Sequence, residues 1–81
     1  MNLEDTSACL EALGNPTRLA VFRLLVEAGI DGVPVGTVQK TIGVPASTLS
    51  HHLARLMRVG LVSQERQSRT LICRADYDVM N

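Results

Sequence analysis

Residues 35–60, VGTVQKTIGVPASTLSHHLARLMRVG, decide the reading of this chain. Val35, Val38 and Ile42 recur at helical spacing, and Gly43-Val44-Pro45 breaks the run. From about Ala46 to Val59, Leu49, Leu53 and Leu56 fall at i, i+4 and i+7, a narrow apolar stripe on an otherwise polar helix. Gly60 is expected to end that helix as a left-handed cap. The stretch therefore reads as two helices joined by a three-residue turn, over about 35–59.

Downstream lie two β-like runs, Leu61–Arg66 and Arg69–Arg74, joined by Gln67-Ser68, which predicts a hairpin over about 61–74. Upstream, Asn15-Pro16 is a helix start: Asn at the N-cap, and Pro at the first helical position, where its missing N–H costs nothing. From there to Ala28 the chain is almost wholly apolar, which predicts a central helix buried on most sides and stopped by Gly29. Thr6 or Ser7 can cap a shorter helix whose apolar positions include Cys9, Leu10 and Leu13 and which ends at Gly14. Ile30–Pro34 reads as loop, and Tyr77–Asn81 reads as the start of a further helix. The fold class is thus mainly α (α+β), with about four helices and a two-stranded β-hairpin.

Composition bounds the rest. The 81 residues are 46% hydrophobic and 20% charged with no net charge, which suits one small domain over 1–81 and excludes a disordered chain. A domain of this size hides about 60% of its unfolded surface. No apolar run approaches the ~20 residues of a membrane span, and the acidic start at Glu4 and Asp5 is unlike a signal peptide. Two cysteines, Cys9 and Cys73, make no disulfide framework, so a reducing cytoplasm is expected.

The neutral total hides a segregation of charge. Residues 1–31 carry five acids against Arg18 and Arg23, a sum of −3. Residues 32–75 carry Lys40, Arg55, Arg58, Arg66, Arg69 and Arg74 against Glu65 alone, a sum of +5, and Asp76 and Asp78 restore zero. The field of the second half suits a polyanion.

Two helices, a tight turn and a basic hairpin together describe a winged helix-turn-helix. A helix of about a dozen residues fits the DNA major groove, the preceding helix braces it, and hairpin arginines reach the flanking backbone. With the leucine stripe inward, Ser47, His51, Ala54 and Arg58 point outward, flanked by Thr48, Ser50 and Arg55. These polar and forked donors suit base edges and phosphates, and no acid stands between Gly32 and Gln64. The candidate DNA contacts are therefore Ser47, Thr48, Ser50, His51, Arg55 and Arg58, with Arg66 and Arg69 from the hairpin. Arg18, at the first turn of the buried helix, divides evenly between phosphate contact and a structural role.

The stretches ALGNPTRLAVFRLL and IGVPASTLSHHLARLMRVGLVSQERQSRTLICRADYDVM strongly resemble the ArsR/SmtB family of small bacterial repressors. The resemblance runs from Leu10 to Met80, and its most specific pieces are Ala12-Leu13-Gly14, Pro16-Thr17-Arg18-Leu19, Ser50-His51-His52-Leu53 and Gly60-Leu61-Val62. It implies a cytoplasmic homodimer that represses from an inverted-repeat operator until an inducer releases it. It also implies a recognition helix of about Ala46–Arg58 and a wing of Leu61–Arg74.

The sequence departs from the family in four places. Pro34 and Gly36 stand where metal-sensing relatives carry two cysteines. Ser68 stands where the wing tip is usually Gly, and Cys73 where Tyr is common. The final helix that normally pairs with the first in the dimer would begin where this chain stops, so a truncated chain is the expectation.

No metal site and no cofactor are expected. Adjacent histidines on a helix diverge by ~100°, so His51 and His52 do not chelate one ion from one face. His52 reads as a packed, hydrogen-bonded side chain. Cys9 and Cys73 are candidate thiol sensors, against the alternative of two small buried hydrophobes. Strand alternation places Cys73 on the face of Leu71, which favours burial. An enzyme is the weakest reading, because no nucleophile–base pair, carboxylate pair or Gly-rich phosphate loop is present. The alternative to DNA binding is a winged-helix module for an acidic protein partner.

Overall fold

The computed structural model describes residues 3–76. Helix α1 spans Leu3–Leu13, α2 Pro16–Ala28, α3 Val35–Ile42 and α4 Ala46–Arg58. Strands β1 (Val33–Pro34), β2 (Val62–Gln67) and β3 (Thr70–Ala75) form an antiparallel sheet in the order β1-β3-β2. The helix foreseen from Tyr77 lies outside the described residues.

The Asn15 side chain accepts hydrogen bonds from the Thr17 and Arg18 amides at 2.9 and 3.1 Å, so α2 starts where the Asn-Pro pair places it. α1 starts earlier than the Thr6 or Ser7 cap predicts: Glu4 and Asp5 occupy its first turn, where acids complement the helix dipole. Leu10 is also not core. Cys9 and Ala12 are buried, whereas Leu10 faces solvent.

α2 is buried on one face rather than most sides. Val21, Phe22 and Leu25 enter the core, while Leu19 and Val26 remain exposed. α4 follows its sequence pattern, with Leu49, Leu53 and Leu56 all at most 2% exposed. These side chains join Val38, Leu61, Val62, Cys73 and Ala75 in a hydrophobic cluster between the helices and one face of the sheet.

At the end of α4, Gly60 adopts φ +81°. Its amide bonds to the Met57 carbonyl and the Leu61 amide to the Leu56 carbonyl, both at 3.0 Å, the paired bonds of a Schellman stop. The stop consumes Leu61, so each strand begins one residue later than expected and the two-residue turn is Ser68-Arg69. Gln67 pairs with Thr70 across it. Ser68 sits at φ +59°, and a hairpin turn with only its first central residue positive favours Gly there. Ser68→Gly is expected to raise stability by about 1 kcal/mol, read as a higher thermal midpoint without loss of the β signal. An unchanged or lower midpoint contradicts the strained turn.

Ile30–Pro34 is not simply loop. A 3-10 turn over Gly29–Asp31 leads into β1, where Val33 pairs with Cys73 and Pro34 with Ile72. The wing, β2 and β3, is therefore part of a three-stranded sheet with β3 at its centre. Arg74 fastens this segment, donating from Nε to the Ile30 carbonyl at 2.8 Å and from Nη1 to Glu65 at 2.7 Å.

Candidate nucleic-acid interface

α3 and α4 meet through the Gly43–Pro45 turn, and burial of the leucine stripe fixes which side of α4 faces out. Ser47, Thr48, Ser50, His51, Ala54 and Arg58 are all exposed, as the helical wheel requires. None of the polar side chains among them has a hydrogen-bond or ion-pair partner within the described residues. Pro45 precedes α4 and supplies no side-chain cap, so the N-terminal amides near Ser47 and Thr48 present the positive end of the helix dipole.

Arg55 is the exception. It is half-buried, and its guanidinium donates to the Glu11 carboxylate of α1, tying the flank of α4 to the first helix. The expectation of Arg55 as a DNA contact meets this competing partner. Arg58, one turn nearer the C-terminus, has none among the described residues.

The hairpin sorts in the same way. Arg66 near the end of β2 and Arg69 in the turn are exposed and without side-chain partners among the described residues, whereas Arg74 is tied to Glu65 and Ile30. Gln67 and Arg74, in that order, hold the Glu65 carboxyl below its ordinary pKa. Glu65, the single acid of residues 32–75, is thereby neutralised locally. Of the six bases in residues 32–75, two are paired and four remain: Lys40, Arg58, Arg66 and Arg69. Lys40 is a cation the sequence places on α3 by spacing, but its position facing Arg66 and Arg69 depends on the tertiary fold.

Arg18 takes the structural role, its Nε donating to the Ala12 carbonyl at 2.6 Å near the end of α1. His51 and His52 diverge, with ring centroids 6.2 Å apart and planes at 60°. His52 is packed, but its Nδ1 is buried with no hydrogen-bond partner, which corrects the expected hydrogen bond. Burial, then the charge of Arg18 and of His51, lower the His52 pKa below 6.5. The folded state thus resists a proton that the unfolded chain accepts, so His52's contribution to stability is full above pH 6.5 and falls as the pH drops below it. His52→Gln should flatten the denaturation midpoint between neutral and mildly acidic pH; an equally steep fall would assign the acid sensitivity elsewhere.

Both thiols take the buried alternative. Cys9 is buried and donates to the Val59 carbonyl at 3.7 Å. Cys73 is 0% exposed, and Gln64 donates to its sulfur at 3.4 Å. Burial pushes the Cys73 thiol up, and the Gln64 bond offsets part of that rise. A reactive cysteine needs an accessible thiolate, which burial here opposes. Among the described residues no three His, Cys, Asp or Glu side chains gather as a metal site.

A brace helix, an exposed acid-free second helix and a hairpin with unpaired arginines define a winged helix-turn-helix protein of the nucleic-acid-binding class. A family model described as a helix-turn-helix domain matches residues 13–65. The transcriptional regulator YgaV of Escherichia coli is 30% identical over 78 residues, covering 96% of this chain and 77% of that protein. ArsR2 of Halobacterium salinarum, named for repression of an arsenical resistance operon, is 40% identical over 58 residues, 72% of this chain and 48% of its own. Among solved structures, the homodimeric winged helix-turn-helix DNA-binding domain of Mb0332 from Mycobacterium bovis superimposes with a TM-score of 0.83. It is 28% identical, and the match covers 96% of this chain and 70% of that one. The chain belongs to the ArsR/SmtB family of winged helix-turn-helix transcriptional regulators.

Proposed function

We propose that this protein is a homodimeric repressor that reads duplex DNA with α4 and steadies it with the β2–β3 wing. The carrying observation is that its unpaired cations concentrate on α3, α4 and the wing, around an α4 surface without a single acid. Ser47, Thr48, Ser50 and His51 are assigned to base edges and nearby phosphates, and Arg58, Arg66 and Arg69 to the backbone. Arg55 is assigned to the α1–α4 ion pair. The side chains that α1 and α2 leave exposed, Leu3, Leu10, Leu19 and Val26, are what a second copy would cover. Release by an inducer belongs to this reading, as does a cytoplasmic location; no helix among the described residues is long and apolar enough to cross a membrane.

The test is a titration against a promoter-derived duplex and a scrambled duplex across a salt series, with sedimentation reporting the oligomer. Ser47→Ala or His51→Ala should cost about 1–3 kcal/mol on the preferred sequence and little on the scrambled one. Equal losses on both duplexes would remove the base-reading role. Binding of an acidic protein that duplex DNA cannot displace would instead favour a protein-interaction module.

A further inference from the structure

A cleft of about 490 Å³ opens between the start of α3 and the wing. Its walls include Gly36, Thr37 and Lys40 from α3 and Arg66, Arg69 and Thr70 from the hairpin. Three cations from two separate elements converge on one concave surface, and none has a side-chain partner among the described residues. Among the described residues no carboxylate lines the cleft. Like charges held together repel, and the repulsion is relieved when a polyanion enters. The first turn of α3 adds to this field: Pro34 supplies no side-chain cap, and Gly36 puts no side chain over the bare turn.

We propose that this cleft seats a backbone phosphate of the bound duplex, beside the groove that α4 enters, with Lys40 and the first turn of α3 as its inner wall. The inference rests on the DNA-binding reading above and extends it to residues outside the recognition helix and the wing. Charge complementarity selects the occupant. The cleft shares Arg66 and Arg69 with the wing surface already assigned to DNA, so a phosphate held here lies on the same polyanion. Its contribution is independent of base sequence, because a phosphate carries none.

The test uses the full chain and a short mixed-sequence duplex over a salt series, with thermal midpoints measured in parallel. Lys40→Gln should leave the midpoint unchanged, weaken binding several-fold and reduce the slope of log affinity against log salt by about one. Gly36→Asp sets an acid at the N-terminus of α3, which favours the helix but repels a phosphate. It should hold or raise the midpoint while weakening binding more than Lys40→Gln does. Gly36→Ala, whose added methyl meets nothing within 4 Å, should bind like the parent. If Lys40→Gln and Gly36→Asp both keep the parent affinity and salt slope, the cleft is not a phosphate seat, although the DNA-binding reading stands. If the parent itself shows no salt-dependent binding of the duplex, that reading fails and the phosphate seat falls with it.

Discussion

Gly32→Ala is expected to destabilise the protein by about 3 kcal/mol or more, enough to remove a large share of a small domain's stability. Two costs add. Gly32 adopts φ +72° and ψ −172°, a region populated essentially by glycine alone. A Cβ there would also lie 2.7 Å from the Cys73 carbonyl oxygen, 2.7 Å from Ile72 Cγ2 and 2.8 Å from Arg74 Cγ. The two side-chain atoms can shift, but the carbonyl belongs to the central strand and is held by its neighbours. The strand must therefore move away, loosening the pairing of Val33 with Cys73. For a domain of this size the thermal midpoint should fall by roughly 12 °C or more. Gly36→Ala is the internal control, since its backbone is helical and its surroundings are open. Equal midpoints for the two variants would refute the close approach of β1 to β3.

Replacing Arg58, Arg66 and Arg69 together by glutamine should nearly abolish duplex binding while leaving the fold intact. Each phosphate contact contributes about 0.9 to the slope of log affinity against log salt, so losing three lowers the slope by about 2.7. Relative to 1 M salt, at 0.05 M that corresponds to about three to four powers of ten in affinity. All three side chains are exposed and unpartnered among the described residues, so stability should change by no more than about 0.5 kcal/mol per site. Arg55→Gln supplies the contrast. It breaks an exposed ion pair with Glu11, worth about 0–1 kcal/mol, and should leave the salt slope near that of the parent. A full unit of slope lost at Arg55 would return that residue to the DNA surface.

What was legible follows from what each signal measures. Periodicity reports which face of a segment turns inward, and α4 obeyed it at Leu49, Leu53 and Leu56. Local capping chemistry reports where a helix starts or stops, and Asn15, Pro16 and Gly60 did so within a residue. α1 begins ahead of Thr6 and Ser7, with Glu4 and Asp5 in its first turn, so capping chemistry at those two residues misplaces its start. α2 shows the limit of composition, because an apolar segment can be covered on one side only. β1 was invisible for a different reason: two residues carry no period, and their pairing depends on a strand forty positions later. The same holds for charge. The excess of bases in residues 32–75 was plain, but not that Glu11 claims Arg55 or that Ile30 and Glu65 claim Arg74. Tertiary partners decide which cations remain for DNA, and no local pattern encodes them.

The central position of β3 has a consequence for how the molecule assembles and comes apart. A wing built from β2 and β3 alone would close a short loop and could fray by itself. Here β3 is also zipped to Val33, in the link between α2 and α3, and Arg74 latches the turn beside it. Completing the sheet therefore closes a loop spanning about half the chain, a late and entropically costly event in folding. Once the sheet is closed, pulling β3 away breaks its pairing with the link between α2 and α3 as well as with β2. The arm and the scaffold then melt as one cooperative unit.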